Sequence, residues 1–456
     1  MTIPITKEGY KLFHRGVLAL ADVEQKGICI DTAYLKLQRK KTEKKIKAFK
    51  EEVNKSKLIK TWRQVYSTRF NINSNQQLAG VLFGRMGYEP TGFTEKSGKP
   101  STDEEALTAV KNPTVKKLIR IRKLKRACDR IDDILSETVD GILHPNFNLH
   151  LVRTFRSSCN SPNFQNMNVR NPEIAEIIRR GIVARPGRML VELDYKALEV
   201  CIAACYNEDP NLIKEVIDPA TDMHTDQALE CYALTRKELG PTGKKPGKDV
   251  RYCAKNKFVF PEFYGDYYVE CAKNLWKSIS SMKLETAQGV PLKKHLVKKG
   301  IKNTRQYENH IKKVEHRFWN KRFKVYTQWK DDLYKSYLKK GYVDMLTGFR
   351  CYEVMKRNEV INRGIQGSAF HCLLWSLIRL NKQFKKYAPD CYIIGQIHDS
   401  IILDINPEKF ELVIRLAKKV MEKDIRKAWD WIIVPLTVEV EASPVGGSWF
   451  EKKEVE

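Results

Sequence analysis

The chain has 456 residues, 42% apolar and 10% aromatic, enough for roughly two to four packed lobes, which excludes a basic disordered tail. Its 82 Lys and Arg against 55 Asp and Glu leave a formal net charge of +27, a field that favours a polyanion, most simply nucleic acid. Eleven cysteines without a Cys-x2-Cys pair point to free thiols in a reducing setting, Met1-Thr2-Ile3-Pro4 opens no signal peptide, and no apolar run approaches a membrane span.

In chain order, Val17 to Glu24 predicts an amphipathic helix ended by Gly27. A long helix is expected from Asp31, with Leu35, Thr42, Ile46, Phe49 and Val53 as a narrow apolar seam among lysines. Residues 70–102 read as loop-rich. Ser101-Thr102-Asp103-Glu104-Glu105 then reads as a capping box, with Thr102 as the cap and Glu105 reaching back. The following helix is the most basic segment, carrying Lys116, Lys117, Arg120, Arg122, Lys123, Lys125, Arg126 and Arg130. Leu118, Ile121, Leu124, Cys128, Ile131 and Leu135 recur every three or four residues and supply its buried face. Charge of nearly one sign over four turns favours phosphate contact over a merely solvated face.

Strand and turn texture begins at Ile142, and Arg188 to Leu193 reads as a strand. Residues 207–340 read as mostly helical and highly charged, anchored by Trp276, Trp319 and Trp329. Gly341-Tyr342-Val343 and Thr347-Gly348 mark a return to turns and short strands. Tyr392 to Ile397, His398-Asp399, and Ser400 to Leu403 read as a hairpin with its acid at the tip. Cys201 and Cys205, one helical turn apart in an apolar run, read as core residues. There is no internal repeat.

The chemistry sits in three places. Asp194, in Asp194-Tyr195-x-x-x-Glu199, closes one strand, and Asp399 lies at the hairpin turn. If those strands are neighbours, the two carboxylates suit two Mg²⁺ ions about 3.5–4 Å apart. Either Asp alone is more simply a turn or cap residue. Between them, Arg251 and Lys255 share one helix face and suit a triphosphate, with His224 as a third contact. His224 alone would be a satisfied structural histidine.

In this order the motifs resemble those of family A DNA polymerases, the class of bacterial DNA polymerase I and many phage replicases. Asp194 to Glu199 resembles that family's first palm motif, Arg251 to Gly265 its fingers helix, and Gln396-Ile397-His398-Asp399 its second palm motif. Arg156-Ser157-Ser158, then Pro162-Asn163-Phe164-Gln165-Asn166, resembles the segment that enters the palm and touches the primer-template minor groove. Asn362-x3-Gln366-Gly367 resembles a helix contacting template and primer. Phe70 to Ser74 and Gly98 to Thr102 resemble thumb segments, and Pro435 to Val440 the last palm strand. The likeness runs from about residue 16 to the C-terminus.

The resemblance implies an α+β right-hand polymerase with an antiparallel-sheet palm (1–30, 146–210 and 341–456), a helical thumb (31–145) and helical fingers (211–340). It implies that Asp194, Asp399 and the Tyr195 carbonyl hold two Mg²⁺ ions, with Mn²⁺ able to substitute. Arg251, Lys255 and His224 would grip the triphosphate, Lys255 also acting in catalysis. Phe260 would lie against the sugar, with Phe258 and Val259 as alternatives, and Tyr264 near the templating base. Glu199 with Tyr264 would close the sugar pocket against a 2′-hydroxyl. Arg156, Gln165, Asn166, Asn362, Gln366, Gln396 and His398 would touch DNA. Primer-template DNA and dNTPs are the implied partners, in the cytoplasm of a bacterial or phage-infected cell and with no membrane.

The sequence departs from the family pattern three times. Ser400 stands where a second acid usually follows the motif aspartate, so metal binding would rest on Asp194 and Asp399. Lys255 to Tyr264 is nine residues, one more than usual, and at about 100° per residue an unbroken helix would swing Tyr264 off the substrate face. Pro261 predicts a bulge between Asn256 and Pro261 that restores it. The likeness begins near the N-terminus, with no length for a proofreading exonuclease, so an exonuclease or a processivity factor would be a separate polypeptide. Two rivals remain: an RNA polymerase of the single-subunit phage type, which Glu199 disfavours, or a template-switching variant of the same fold; and a non-catalytic basic DNA-binding protein on that fold.

Overall fold

The computed structural model describes residues 6–94, 97–167 and 171–455; the Met1-Thr2-Ile3-Pro4 opening lies outside the described residues. Helix α1 (Lys7–Lys26) buries Leu12, Gly16, Ala19, Leu20 and Val23 along one stripe. It ends at Gly27, whose φ of 60° and close approach to Ile142 and the Leu143 carbonyl leave no room for a Cβ. Helix α2 (Thr32–Asn54) starts at Asp31, whose side chain accepts from the Tyr34 amide at 2.8 Å. Its seam buries Leu35, Thr42 and Val53, while Ile46 and Phe49 pack beside a second hydrophobic cluster built on Trp62, Leu78, Leu82 and Leu107.

Helix α3 (Pro113–Glu137) joins two cores. Its first half gives Val115, Leu118 and Ile121 to that smaller cluster, and its second half gives Ala127, Ile131 and Ile134 to the main one. At about 1.5 Å per residue it is a strut of roughly 37 Å. Part of its basic face is already paired within the protein: Lys117 with Glu52, Lys123 with Glu104, and Arg120 with Glu173 at 3.2 Å.

Two expectations need correction in this lobe. Residues 70–102 are not only loop, because Asn75–Ala79 is helical and runs into a π-helical stretch, Gly80–Arg85. Leu78, Val81 and Leu82 bury together there, a long-range reward invisible to local texture. The cap of the next helix is Asp103, not Thr102: its carboxylate accepts from the Ala106 amide at 2.7 Å and from Ser101 at 2.8 Å. Glu105 instead pairs with Lys277 at 3.0 Å.

The sheet that carries the site contains strands β1 (Met189–Tyr195), β2 (Tyr392–Ile397), β3 (Ser400–Ile405), β4 (Val438–Ala442) and β5 (Lys453–Glu454). They are antiparallel in the order β5-β4-β1-β3-β2. Strand β3 is buried at all six positions: Ile401, Ile402 and Leu403 run through the core, and buried Asp404 is held by Arg185 and Arg188 at 2.6 Å each. Helix α4 (Leu198–Asn207) leaves β1, burying Cys201 and Cys205 as expected. A helical lobe follows with α5 (Met223–Cys231), α6 (Gly247–Ala254) and α7 (Lys324–Lys340). Trp319 is buried in it, and Trp276 and Trp329 pack on the same core. The 31-residue helix α8 (Arg357–Tyr387) returns the chain to the sheet, packing on α1, β2 and β3. No helix among the described residues is long and apolar enough to cross a membrane.

Candidate active site

Strands β1 and β3 are direct neighbours, with Ser400 opposite Asp194 and the Tyr195 amide donating to the Asp399 carbonyl at 3.2 Å. The two-residue turn His398-Asp399 needs a left-handed residue, and His398 adopts φ 49°. The Asp194 carboxyl is pushed up to about 6, by desolvation first and then by Asp399, Glu439 and Glu441. Desolvation and then Glu199 push Asp399 to about 6 as well. Hard carboxylate oxygens whose ionisation the protein itself opposes suit a divalent cation, which reverses that penalty. The Tyr195 phenol is buried, bonded to Ser376 and to the Met421 carbonyl at 2.8 Å each, which leaves only its main chain for the cleft. Among the described residues no cluster of three or more His, Cys, Asp or Glu is placed to hold an ion unaided, so main-chain, phosphate or water oxygens must complete the set. Ser400 is buried and its hydroxyl donates to the Ile397 carbonyl at 3.0 Å.

Ala197, at φ 50°, turns the chain from β1 into α4 and places Glu199 in the first turn. The extra residue in the fingers-like helix is absorbed by a π-helical turn, Lys255–Val259, which starts one residue earlier than expected; Phe260–Phe263 then continues as α-helix. Pro261 sits at the start of that new turn, where its missing donor costs nothing. Tyr264 is thereby restored to the cleft, its hydroxyl donating to Glu199 at 2.5 Å. Of the three candidates for the sugar contact, Phe258 and Val259 are fully buried, and Phe260 faces outward against Lys255 (5.1 Å), His224 (5.7 Å) and Tyr264 (6.4 Å). Glu199, Phe260, Tyr264, Asn362, Gln366 and Asp399 line a cavity of about 130 Å³.

Arg251 donates through Nε and Nη2 to the two oxygens of Asp222, at 2.9 and 3.0 Å. Asp222 also caps α5, accepting from the Thr225 amide at 3.1 Å. Burial opposes ionisation of Asp222, but Arg251 and Thr225 overcome it and bring the carboxyl down to about 2. Burial, then Lys255 and Arg251, push His224 down to about 4, and its Nδ1 is buried without a hydrogen-bond partner. Burial and then Arg251 also lower Lys255. His224 is therefore a neutral ring beside two cations.

Of the residues read as DNA contacts, Asn362 and Gln366 line the cavity beside Tyr264, and Arg156 and His398 lie near Glu199 at its edge. Arg156 lies 3.7 Å from Glu199. Gln165 donates to Ser157 and to the Gln396 carbonyl oxygen, both at 2.8 Å; Ser157 donates to that oxygen at 2.7 Å, and the Gln396 amide donates to the His398 carbonyl at 2.7 Å. Gln396 is buried, with its polar atoms spent on supporting the hairpin turn. Asn166 is exposed at the end of the turn Phe164–Asn166. Asn362 donates to the Tyr264 carbonyl at 2.9 Å, and Gln366 lies one turn along α8.

Sequence reasoning gave no individual role to Asp222, to Ser157, to Asn358, which donates to the Gly265 carbonyl at 2.7 Å, or to Glu439, which stands on β4 opposite Asp194 on β1. Asp222 carried a signal, standing two residues before His224 in an N-cap position. The others became visible only with the strand order and helix packing.

Residues 32–276 and 297–451 match the family model described as DNA polymerase family A. The chain is 28% identical over 452 residues to the thermostable DNA polymerase I of Thermus aquaticus, covering 95% of this chain and 47% of that protein. It is 27% identical over 408 residues to the DNA polymerase of Bacillus phage SP01, covering 84% and 40%. The chain thus spans about half the length of the curated relatives it matches. In fold it is similar to the polymerase domain of Pol1 from M. smegmatis, solved in complex with DNA primer-template and dNTP: the TM-score is 0.75 at 23% identity, over 96% of this chain and 70% of that one.

Proposed function

The chain belongs to DNA polymerase family A, and from that premise we propose that it is a DNA-directed DNA polymerase adding deoxynucleotides to a primer 3′-hydroxyl. The observation that carries the reading is a cavity lined by Asp399, Glu199, Tyr264 and Phe260, with Asp194 beside Asp399 and with Lys255 and His224 packed on the far side of Phe260, next to Arg251. The palm is assigned to 1–30, 146–210 and 341–456, the thumb to 31–145 and the fingers to 211–340.

Arg251 and Lys255 bind the triphosphate as cations, and neutral His224 donates a hydrogen bond without adding charge. Lys255 holds a proton where charge develops on the departing pyrophosphate. Phe260 packs on the sugar, and Glu199, held by Tyr264, excludes a 2′-hydroxyl. Arg156 and Gln366 report the shape of the terminal pair from the minor groove, whose acceptors are alike for A·T and G·C. Gln165, Asn166, Asn362, Gln396 and His398 line the same path. Family A polymerases use divalent metal ions, and a pair of Mg²⁺ or Mn²⁺ ions held by Asp194, Asp399 and the Tyr195 carbonyl would lower the pKa of the attacking hydroxyl and stabilise the leaving group.

Likeness to the Bacillus phage enzyme supports a phage-type replicase acting in the cytoplasm of an infected bacterial cell. Primer extension with Mg²⁺, giving dNTPs and rNTPs separately, tests the reading. Extension with dNTPs that vanishes in Asp194→Ala is expected. DNA binding without extension under any divalent metal would overturn it.

A further inference from the structure

The segment Thr154-Phe155-Arg156-Ser157 reaches the cleft through a backbone conformation that bulky residues avoid. Phe155 has φ 55°, in the left-handed region, although it is neither glycine nor asparagine. Something outside the segment must hold it there.

Helix α8 does so at two positions one turn apart. At Gly367 an added Cβ would stand 2.7 Å from the Thr154 carbonyl, so the segment lies directly on the helix backbone. At His371, fully buried, Nε2 donates to the Phe155 carbonyl at 3.0 Å. A carbonyl only accepts, so Nε2 carries the hydrogen and Nδ1 accepts from the Thr347 hydroxyl at 2.5 Å. Burial pushes His371 down to about 3, which keeps the ring neutral and in that tautomer. Phe349 and Phe13 pack on both partners of the bond: on Phe155 at 5.1 and 6.3 Å, and on His371 at 4.3 and 5.6 Å between ring centres.

What this anchor controls lies on its far side. Arg156, the next residue, points at Glu199, and Ser157 bonds Gln396, which bonds the carbonyl of His398 beside Asp399. A shift of the Phe155 peptide therefore moves Arg156, while Gln165, bonded to both Ser157 and Gln396, holds the hairpin support in place.

We infer that His371 is a positioning residue for nucleotide addition: by donating to the Phe155 carbonyl it fixes the left-handed turn that aims Arg156 into the active site. The role rests on the polymerase reading above, since His371 itself touches no substrate and acts only through Arg156.

The test is single-nucleotide incorporation by the full chain carrying His371→Gln, His371→Leu or Thr347→Val, each with Arg156 and with Arg156→Ala, alongside melting temperature and primer-template affinity. Glutamine keeps a donor near the Nε2 position; leucine fills the space without one. Since a misplacement of about 1 Å can cost 10²-fold, His371→Leu is expected to lower kcat/KM about 10- to 100-fold. DNA affinity should change less than about threefold, and His371→Gln should recover most of the loss. In the Arg156→Ala background the leucine substitution should cost less than about threefold, because the group it positions is gone. Thr347→Val, which removes only the bond that sets the tautomer, should show a smaller loss with the same dependence on Arg156, and carries the comparison should the leucine variant fail to fold. Equal losses in both backgrounds, or glutamine as damaging as leucine, would overturn the inference and leave His371 a packing residue. Failure of the unsubstituted chain to extend any primer would instead overturn the polymerase reading.

Discussion

Replacing Asp222 with asparagine asks whether the triphosphate grip is held in check by its own counter-ion. Both Asp222 oxygens accept from Arg251, at 2.9 and 3.0 Å, the two-pronged geometry of a strong ion pair. Asparagine keeps a carbonyl oxygen for the Thr225 amide and is as good an N-cap, so α5 and His224 stay in place. The charge is lost, and with it the second acceptor oxygen, to which Arg251 Nε and the Thr225 hydroxyl donate. The fall of Asp222 from 3.8 to about 2 corresponds to at most about 2.5 kcal/mol. The two side chains are 34% and 32% exposed, so solvent screening reduces this to about 1 kcal/mol, or roughly fivefold in affinity. If Arg251 must leave Asp222 to meet the triphosphate, the KM for dNTP falls about fivefold in Asp222→Asn while kcat holds, measured by single-nucleotide incorporation at saturating primer-template. A raised KM with unchanged DNA affinity would refute the competition and make Asp222 the residue that orients Arg251. The pH dependence follows from the depressed carboxyl. Its stabilisation is fully present above 3.8 and is lost as pH falls through about 2, so wild type and variant should converge in stability only below pH of about 4.

Two further outcomes follow from other contacts. Glu199→Ala removes the acceptor of Tyr264 and the neighbour of Arg156, and discrimination between dNTP and rNTP, as the ratio of kcat/KM values, should fall about 10- to 100-fold; an unchanged ratio refutes the sugar gate. Glu262, 2% exposed, accepts from the Trp319 indole at 2.7 Å and is pushed well up by burial and then by Glu315. A buried carboxyl that clings to its proton costs stability as pH climbs above 4.5, because the unfolded chain then releases that proton more readily than the folded one. Glutamine keeps the acceptor and has no proton to lose. Glu262→Gln should therefore melt higher than wild type at pH 9 and alike near pH 5, and a constant offset between the two would sink the argument.

What was legible in the sequence had its cause close by. Asp31 and Gly27 end their helices through contacts within a few residues or through a backbone conformation only glycine adopts easily, and both were read correctly. The hairpin around Asp399 was legible because two apolar runs flank a polar pair. Where two local answers competed, the choice failed: Asp103 won the cap over Thr102 because Ser101 bonds its carboxylate as well. The helix at Asn75–Ala79 failed for a different reason, since its reward is burial of Leu78 against a cluster that includes Trp62.

The candidate site divides along the same line. The nine-residue interval from Lys255 to Tyr264 was legible as one residue too many against the family's spacing, and its remedy followed from helix geometry and Pro261. A π-helical turn takes up one more residue than an α-helical turn, which cancels the surplus rotation and returns Tyr264 to Glu199. Ser157 and Asp222 stand beside residues that were read, but their contacts, like those of His371, were not legible, because none of these contacts follows a spacing. Ser157 meets Gln396 across 239 positions, and His371 meets Phe155 across 216. Such residues act on groups that a motif does name: Arg251, the His398-Asp399 turn and Arg156. Motif spacing can record which atoms meet the substrate, since those atoms share one helix face or one turn. The partners that aim them are chosen by the tertiary fold, where one buried imidazole can hold a left-handed Phe155 that its own sequence neighbourhood would not favour.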